Sequence, residues 1–396
     1  MPVIFPHPAA AVTHPPTEGQ LAALAAAIKG WGRELGFQQL GVSGVDLGEH
    51  EARLIEWLAA GFHGTMDYMS RHGTRRGRPA ELVPGTVRVL SARMDYWPPE
   101  SAEPWRVLRD PTRAYLSRYA VGRDYHKVVR RRLQRLAERI AAAVGPFGHR
   151  VFSDSAPVLE KALAQRAGLG WIGKHSNLLD RRAGSWFFLG EIYLDVPLPV
   201  DSPATAHCGR CVACLEVCPT RAIVAPYRVD ARRCISYHTI ELRGPIPPEF
   251  RRAMGNRIYG CDDCQLVCPW NRFAKPSAEP DFRARHGLDA PDLIDLFAWE
   301  EADFLRQTEG SAIRRIGHER WLRNLAVALG NAPPSARAVD ALQARAAHPS
   351  AVVAEHVAWA LDEQAEKRDR RARGDPVQTP VLDGAGAADR RLSPPR

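Results

Sequence analysis

The sequence lacks any run of about 18 consecutive apolar residues, the length that a membrane-spanning helix needs. Its first 16 residues contain five prolines, and no Lys or Arg precedes an apolar stretch there, unlike a secretory signal peptide. We therefore expect a cytoplasmic protein that does not associate with membranes.

Cysteine is also missing from most of the chain. The first 207 residues and the last 128 have none, so all eight cysteines lie between Cys208 and Cys268. Cysteines confined to one segment indicate a single local site. Disulfides are not expected in a chain without an export signal.

The composition is that of a globular protein, with 45% hydrophobic and 25% charged residues among 396. These values exclude a wholly disordered, collagen-like or coiled-coil chain, and the length predicts two or three domains. The 54 Lys and Arg residues exceed the 45 Asp and Glu residues, which gives a net charge of +9. This excess favours a polyanionic partner such as nucleic acid.

Hydrophobic periodicity predicts helices alternating with strands through about residue 200, and helices alone from 292 to 363. The alternation favours an α/β or α+β multidomain fold. The later helices resemble HEAT-like hairpins, although only about one and a half repeats are present where three or more are usual. Helices are expected near 19–35, 49–60, 124–144 and 157–167, and strands near 37–42, 87–96, 149–152, 171–179 and 185–195.

The cysteine spacing is typical of bacterial two-cluster ferredoxins, in which the Cys before Pro ligates the other cluster. One run is Cys-x2-Cys-x2-Cys-x3-Cys-Pro and the second is one cysteine short, with Cys234 completing the count. If each Cys-Pro cysteine crosses over, two [4Fe–4S] clusters use every thiol. Two four-cysteine zinc sites are the alternative. The first cluster would take Cys208, Cys211, Cys214 and Cys268, and the second Cys218, Cys234, Cys261 and Cys264.

The region before the cysteines has no dinucleotide-binding or P-loop motif. Asp124-Tyr125-His126 partly matches a signature that supplies an axial histidine to cobalamin in other enzymes, but the expected glycine is Val129. We therefore expect His126 to be a structural or surface histidine.

Several segments around and beyond this region form a more specific pattern. The segments are Asp154-Ser155-Ala156-Pro157-x-x-Glu160, Gly168-x-Gly170-Trp171-Ile172-Gly173-Lys174, Gly184-Ser185-Trp186 with Leu189-Gly190-Glu191, Arg233-Cys234-x-Ser236-Tyr237, and Gly255-Asn256-Arg257-Ile258-Tyr259-Gly260-Cys261-Asp262. In this order, and over roughly residues 17–275, they resemble the epoxyqueuosine reductase family. The resemblance implies a cobalamin-dependent reductase with two [4Fe–4S] clusters, which removes the epoxide oxygen of epoxyqueuosine at the tRNA wobble position in the last step of queuosine synthesis.

The resemblance implies that Asp154 is the proton donor and also borders the cobalamin. An ordinary Asp is protonated about one time in a thousand at pH 7, so we expect its surroundings to raise the pKa of Asp154. The structural alternative is that Asp154 or Ser155 caps a helix that begins near Pro157.

The other cobalamin contacts implied by the resemblance lie in both halves of the pattern. Some family members have cysteine at the position of Ser117, so no thiol is required there. From the sequence alone, each position also fits a buried leucine or a surface polar residue. These contacts are Arg76, Ser117, Leu178, Leu189, Ser236 and Asp262.

We therefore expect a monomer with five segments, which takes electrons from an external flavodoxin- or ferredoxin-type donor. The segments are a disordered N-terminus (1–16), a cobalamin-binding reductase domain (17–200), a ferredoxin-like domain (201–275), a HEAT-like helical domain (276–365) and a disordered tail (366–396).

A tRNA substrate requires a basic surface, and four arginine clusters are candidates to contact phosphates. Two other functions remain open, a cobalamin-dependent reductase of a small molecule related to reductive dehalogenases, and a ferredoxin-like electron carrier without enzyme activity. The clusters are Arg71, Arg75, Arg76 and Arg78; Arg130, Arg131, Arg132 and Arg135; Arg251, Arg252 and Arg257; and Arg314, Arg315, Arg320 and Arg323.

Overall fold

The helices and strands are taken from a computed structural model, which describes residues 16–98 and 100–375. The expected disorder of residues 1–15 and 376–396 lies outside the described residues. The helices are α1 Glu18–Glu34, α2 Gly48–Ala59, α3 Pro79–Leu82, α4 Pro104–Arg109, α5 Tyr125–Val144, α6 Glu160–Arg166, α7 Ala213–Glu216, α8 Ile235–Ile240, α9 Pro248–Met254, α10 Asp263–Leu266, α11 Leu293–Phe297, α12 Glu301–Gln307, α13 Gly317–Asn331, α14 Ala336–Gln343 and α15 Ala351–Arg373. The strands are β1 Gln39–Ser43, β2 Arg88–Asp95, β3 Tyr115–Leu116, β4 His149–Phe152, β5 Trp171–Ile172, β6 Leu178–Leu179, β7 Phe187–Leu194, β8 Ile223–Ala225, β9 Arg228–Val229 and β10 Arg257–Tyr259.

The chain folds into two units, each assembled from separate segments. The first unit contains the described residues up to 97, together with 125–211 and 273–279, and the second contains those of 98–124, 212–272 and 280–375. The domain ranges expected from the sequence are contiguous, so they do not coincide with these units. Those ranges remain a proposal about which segment carries which function.

The first unit is built on a four-stranded sheet in the order β1-β2-β7-β4. Every neighbouring pair of its strands is antiparallel, so this sheet fits the α+β class rather than a parallel α/β sheet. In the register, Ser91 of β2 lies opposite Glu191 of β7, and Phe152 of the edge strand β4 also lies opposite Glu191. This register places the buried carboxyl group of Glu191 in the middle of the sheet.

Helices cover both faces of the sheet, and the residues of β7 alternate between them as strand geometry requires. On one face, Gly190 lies against Val129 and Leu133 of α5, where a Cβ atom would come within 2.6–2.8 Å of their methyl groups. On the other face, α6 packs on β1, β2 and β7. The first turns of α5 and α6 therefore approach the end of the edge strand β4 from opposite sides.

The second unit is mainly helical, and its core is centred on α13. Trp321, Leu322 and Leu325 of this helix are fully buried, and α13 packs against α15, α11 and α9. The helices expected between 292 and 363 are confirmed. The disordered tail expected from 366 is wrong at its start, because α15 continues to Arg373, where Gly374 ends it in a left-handed conformation.

The sequence predicted most of the elements in the first unit. The strand at 149–152 has the expected bounds, and α1 begins one residue earlier than expected because Thr17 and Gln20 form a capping box. The run expected as a strand over 171–179 is two short strands, β5 and β6, joined as a hairpin. Within the described residues, none of the helices has the length and apolar character needed to cross a membrane.

Candidate active site

Asp154 lies in the turn that follows the edge strand β4. Its backbone is left-handed, with φ +56°, a conformation that costs a non-glycine residue energy and is concentrated at functional sites. Its carboxyl accepts a hydrogen bond from the Tyr125 hydroxyl, and its Oδ2 is 3.3 Å from His126 Nε2. The side chain is 55% exposed. A strained turn thus presents an acid that a substrate can reach.

The helix-capping alternative for this segment is wrong. The helix α6 begins at Glu160, and the residue at its N-cap is Leu159, with no side-chain capping hydrogen bond. Neither Asp154 nor Ser155 is close enough in sequence to cap it. The Asp154 turn therefore needs another explanation than helix capping.

The pKa of Asp154 lies below its ordinary value, which is opposite to the expectation. Partial burial raises the pKa of this carboxyl, but hydrogen bonds from His126 and Tyr125 and the charge of a protonated His126 outweigh that effect. The sequence treated His126 as a structural or surface histidine, whereas the structure places it against the candidate proton donor. Asp154 and His126 together can hold one proton between them.

Tyr125 is fixed by stacking. Its ring lies parallel to that of Phe188, with centroids 4.0 Å apart, and the ring of His126 stacks on it at 4.1 Å. Such contacts hold the hydroxyl oriented toward Asp154. Tyr125 was missed because its role depends on Phe188, which is 63 residues away and reaches it only through the packing of α5 on β7.

Two further carboxyl groups lie behind the Asp154 turn. The backbone N–H of Asp154 donates to Glu160 Oε1 at 2.5 Å, and Glu160 in turn interacts with Glu191, which is fully buried on β7. Burial and the neighbouring Asp154 raise the pKa of Glu160 to about 7. Burial and the neighbouring Glu160 also raise the pKa of Glu191 above its ordinary value.

The expected cobalamin contacts of the first unit are Arg76, Leu178 and Leu189. Arg76 is buried, and its Nη2 donates to the Tyr68 carbonyl at 2.8 Å, while its buried Nε has no hydrogen-bond partner. Leu178 is buried, and Leu189 packs against the same apolar cluster. An unpartnered guanidinium N–H suits a polar substituent of a large ring, and apolar side chains suit the face of such a ring.

The expected contacts of the second unit are Ser117, Asp262 and Ser236. The Ser117 hydroxyl donates to Asp262 at 2.5 Å, and Asp262 also accepts from Tyr115 Oη at 2.7 Å and from the Arg118 N–H at 2.8 Å. Asp262 is buried and its oxygens are used within the protein, so its side chain holds the Ser117 loop in place. Ser236 is partly exposed at the start of α8.

Four of the cysteines come together in the second unit. Cys264 lies close enough to Cys234 and Cys218 for their charges to interact, and Cys261 does the same with Cys234 and Cys264. These four thiols are the ones expected to hold the second cluster, and Cys214, expected in the first cluster, also interacts with Cys264, so the division of the thiols between two clusters stays a prediction. No disulfide links any of the eight cysteines.

Burial raises the pKa of Cys234, Cys261 and Cys264, so these thiols need a bound cation to ionise. Among the described residues, no three Cys, His, Asp or Glu side chains close around a single metal ion. The assignment of Cys218, Cys234, Cys261 and Cys264 to one site is supported by the short distances between their thiols, whose charges interact.

The structure corrects the arginine clusters that were expected to contact phosphates. Arg76, Arg251, Arg257 and Arg323 are buried and bonded to protein groups, as with Arg257, whose Nη2 is 2.6 Å from Asp263 Oδ2. The described residues leave other members of the clusters exposed. These are Arg71, Arg75, Arg78, Arg130, Arg131, Arg135, Arg252, Arg314 and Arg315.

Comparison with known families gives two matches. Residues 207–271 match the 4Fe-4S double cluster binding domain, and residues 76–155 match the family described as Epoxyqueuosine reductase QueG, DUF1730. The first match covers the cysteine region, and the second ends one residue after Asp154.

Individual proteins are similar over almost the whole chain. An epoxyqueuosine reductase of Xanthomonas campestris is 64% identical over 85% of this chain and 95% of its own length. A crystal structure of epoxyqueuosine reductase with an epoxyqueuosine-modified tRNA-Tyr stem loop has a TM-score of 0.80 at 25% identity, covering 94% of this chain and 99% of that one. A Bacillus subtilis structure in which the loop of the catalytic aspartate is swung out of the active site has a TM-score of 0.78 at 25% identity, covering 94% and 100%.

Proposed function

The chain belongs to the epoxyqueuosine reductase family, and from that premise we propose that it reduces epoxyqueuosine at the wobble position of tRNA, with Asp154 as the proton donor. The chain is an oxidoreductase with a 4Fe-4S double cluster binding domain. The observation that carries the residue assignment is the exposed Asp154 carboxyl on a strained turn, paired with His126 and Tyr125.

The reaction requires two electrons and two protons. Both C–O bonds of the epoxide break, a carbon–carbon double bond forms, and the oxygen leaves as water. A protonated oxygen leaves far more easily than an alkoxide, so an acid within reach of the epoxide accelerates the step. Cobalamin, when bound, supplies a low-valent metal that delivers electrons to the substrate.

We assign the proton transfer to the Asp154 and His126 pair. Because the pKa of Asp154 is low in this structure, its proton is shared with His126 until the substrate arrives. A substrate that covers the exposed carboxyl removes water from it and so raises its pKa, which moves the proton onto Asp154. Tyr125 holds the carboxyl in place during this transfer.

Two sets of residues would hold the cobalamin. Arg76, with its unpartnered Nε, and the apolar side chains of Leu178 and Leu189 form one set. Ser117, Ser236 and Asp262 form the other, with Asp262 acting through the Ser117 loop.

The iron–sulfur ligands follow the crossed arrangement. Cys218, Cys234, Cys261 and Cys264 would hold one cluster, and their proximity supports this set. Cys208, Cys211, Cys214 and Cys268 would hold the other, which receives electrons from a flavodoxin- or ferredoxin-type protein. We further propose a cytoplasmic monomer, in which the helices after 276 form a HEAT-like domain.

The proposal is tested with anaerobically purified, corrinoid-supplemented protein. Incubation with a reductant and an epoxyqueuosine-containing anticodon stem loop should remove one oxygen atom from the modified base, as seen by mass spectrometry. Absorption and EPR spectra should show iron–sulfur clusters and Co(II). Turnover of haloorganic compounds in place of the stem loop would contradict the substrate, and a protein that binds zinc rather than iron would contradict the cluster assignment.

A further inference from the structure

Partly exposed Glu160 and fully buried Glu191 form a pair of carboxyl groups that no step of the reaction uses. Glu191 is fully buried at the centre of the sheet, and neither of its carboxyl oxygens receives a hydrogen bond from a donor group. The side chain that it does interact with is Glu160, another carboxyl. Two ionised carboxylates in contact would repel one another in a medium that cannot screen them, so one of the pair must carry a proton.

The surroundings of the pair indicate which residue holds that proton. Tyr193 lies two residues further along the same face of β7, and burial and the adjacent Glu191 and Glu160 raise its pKa, so it stays neutral. Its buried hydroxyl is unpartnered, as is that of Ser91, which lies opposite Glu191 in the sheet. The charged groups that act on Glu191 are the carboxylates of Glu160 and Asp154, and the hydrogen bond between the two glutamates raises the pKa of Glu191 and lowers that of Glu160, so Glu191 holds the proton.

Glu160 faces a different set of groups. Asp154 and His126 both interact with it, and Arg76 contributes a positive charge from its own loop. Lys161, the next residue of α6, donates to the Ser176 carbonyl and to Asn177, and its charge acts on Asp154. These positive charges favour the ionised form of Glu160, so the pair is best described as neutral Glu191 beside a Glu160 carboxylate.

The Glu160 carboxylate has one contact that explains its position. Its Oε1 accepts the N–H of Asp154, the residue with φ +56°. A left-handed Asp reverts to an ordinary conformation unless a specific contact outweighs the strain. A charge-assisted hydrogen bond to the backbone of that residue is such a contact.

We propose that Glu160, held in place by a protonated Glu191, is a positioning residue that fixes the Asp154 turn in its donating conformation. This inference rests on the proposed function, because it assigns to Glu160 the placement of the proton donor. Loss of the contact would release the strain and let the turn leave the site. In the Bacillus subtilis epoxyqueuosine reductase structure, the loop of the catalytic aspartate is swung out of the active site.

The first test compares three variants of the holoenzyme on an epoxyqueuosine-containing stem loop. Glu160→Ala removes the acceptor and should lower kcat about 100-fold, the order expected when a catalytic group is misplaced, with KM within about threefold of wild type. Glu160→Gln retains an acceptor oxygen and should recover activity to within about tenfold of wild type. Glu138→Gln, an exposed position on α5, is the control.

Equal losses in Glu160→Ala and Glu160→Gln would overturn the proposal, as would a rise in KM with unchanged kcat. Failure of the wild-type protein to convert the stem loop would contradict the proposed function instead. The two failures are therefore distinguishable within one set of assays.

The second test does not depend on activity. Infrared spectra of the holoenzyme at neutral pH should contain the carbonyl band of a protonated carboxylic acid, and Glu191→Gln should remove that band while Glu138→Gln leaves it. A spectrum without the band, or a band that survives in Glu191→Gln, would overturn the assignment of the proton to Glu191. Iron content measured on the same samples establishes that each variant is folded.

Discussion

Two sites with buried carboxyl groups, one in each unit, differ in how those groups are bonded. In the second unit, Asp262 accepts three hydrogen bonds and Asp263 pairs with Arg257 in a contact buried on both sides. In the first unit, Glu191 has no donor at all and faces another carboxyl. A buried carboxylate that accepts several hydrogen bonds holds its loop in place. A pair of carboxyl groups without hydrogen-bond donors must instead carry a proton, and such pairs are typical of reactive sites.

The largest effect on stability should come from breaking the hydrogen-bonded ion pair of the second unit. Arg257→Ala leaves the Asp263 carboxylate buried and unpaired, and removing one partner of a buried pair costs about 3–5 kcal/mol. Arg123→Ala, which breaks the partly exposed contact with Asp281, should cost less than about 1 kcal/mol. Chemical denaturation of the two variants measures this difference. Equal losses in the free energy of unfolding would show that the Arg257–Asp263 pair does not stabilise the second unit more than an exposed pair does.

Two tyrosines allow a matched comparison, since each donates its hydroxyl to an aspartate. Tyr115→Phe leaves buried Asp262 short of a donor and should lower the free energy of unfolding by about 1–3 kcal/mol. Tyr125→Phe should change it by less than about 1 kcal/mol, because Asp154 is half exposed to water. It should instead raise the pKa of Asp154 and shift the pH dependence of kcat.

Denaturation of both variants and a pH–rate profile of Tyr125→Phe test this pair. An equal loss of stability in the two variants would remove the distinction between the units.

The proton on Glu191 makes the stability of the first unit depend on pH. A carboxyl whose pKa is raised by folding binds more protons in the folded state, so its contribution is complete below the ordinary pKa of 4.5 and is lost as pH rises toward the folded value. The free energy of unfolding should therefore fall by about 1.4 kcal/mol per pH unit for that proton.

Glu191→Gln should abolish this contribution at pH values above 4.5. The measured quantity is the difference in slope between wild type and variant. A difference is required because His175, His238 and His356, with pKa values lowered to about 4 by burial, contribute a slope of opposite sign. Parallel curves for the two proteins would contradict a proton on Glu191.

The smallest effect should be a gain in stability. Asp154→Gly removes the strain of the left-handed backbone, which should stabilise the protein by about 1–2 kcal/mol. The greater freedom of glycine in the unfolded chain should offset about 0.5–1 kcal/mol of this gain. We expect a net stabilisation of up to about 1 kcal/mol together with loss of activity. A destabilised Asp154→Gly protein, compared by thermal denaturation, would show that the turn is not strained.

The sequence predicted helices and strands well where short-range signals, such as helix caps and hydrophobic periodicity, determine them. The Thr17 capping box begins α1, and strand periodicity placed β4 at its observed bounds. The cysteine spacing predicted a two-cluster iron–sulfur segment, which the match of residues 207–271 to the 4Fe-4S double cluster binding domain confirms. The resemblance singled out Asp154 before any geometry was available.

What the sequence did not predict depends on tertiary packing. Glu160 and Glu191 are 31 residues apart and meet only because α6 packs on β7. The prediction that the arginine clusters form a phosphate-binding surface was wrong for some of their members for a similar reason. Arg323 is buried and donates to the carbonyls of His238, Leu242 and Gly244. Arg314, in the same cluster, is exposed. Charge along a sequence does not reveal which side of a helix meets the core.

The most direct test of the account is the single-turnover rate of pre-reduced Asp154→Asn holoenzyme on an epoxyqueuosine-containing stem loop. If Asp154 is the proton donor, the rate should fall by about 10²–10⁴-fold, while iron content, corrinoid spectrum and stem-loop affinity match wild type. Asp46→Asn, at an exposed position of the same unit, should keep the wild-type rate. An Asp154→Asn enzyme that reduces the epoxide as fast as wild type would contradict the account.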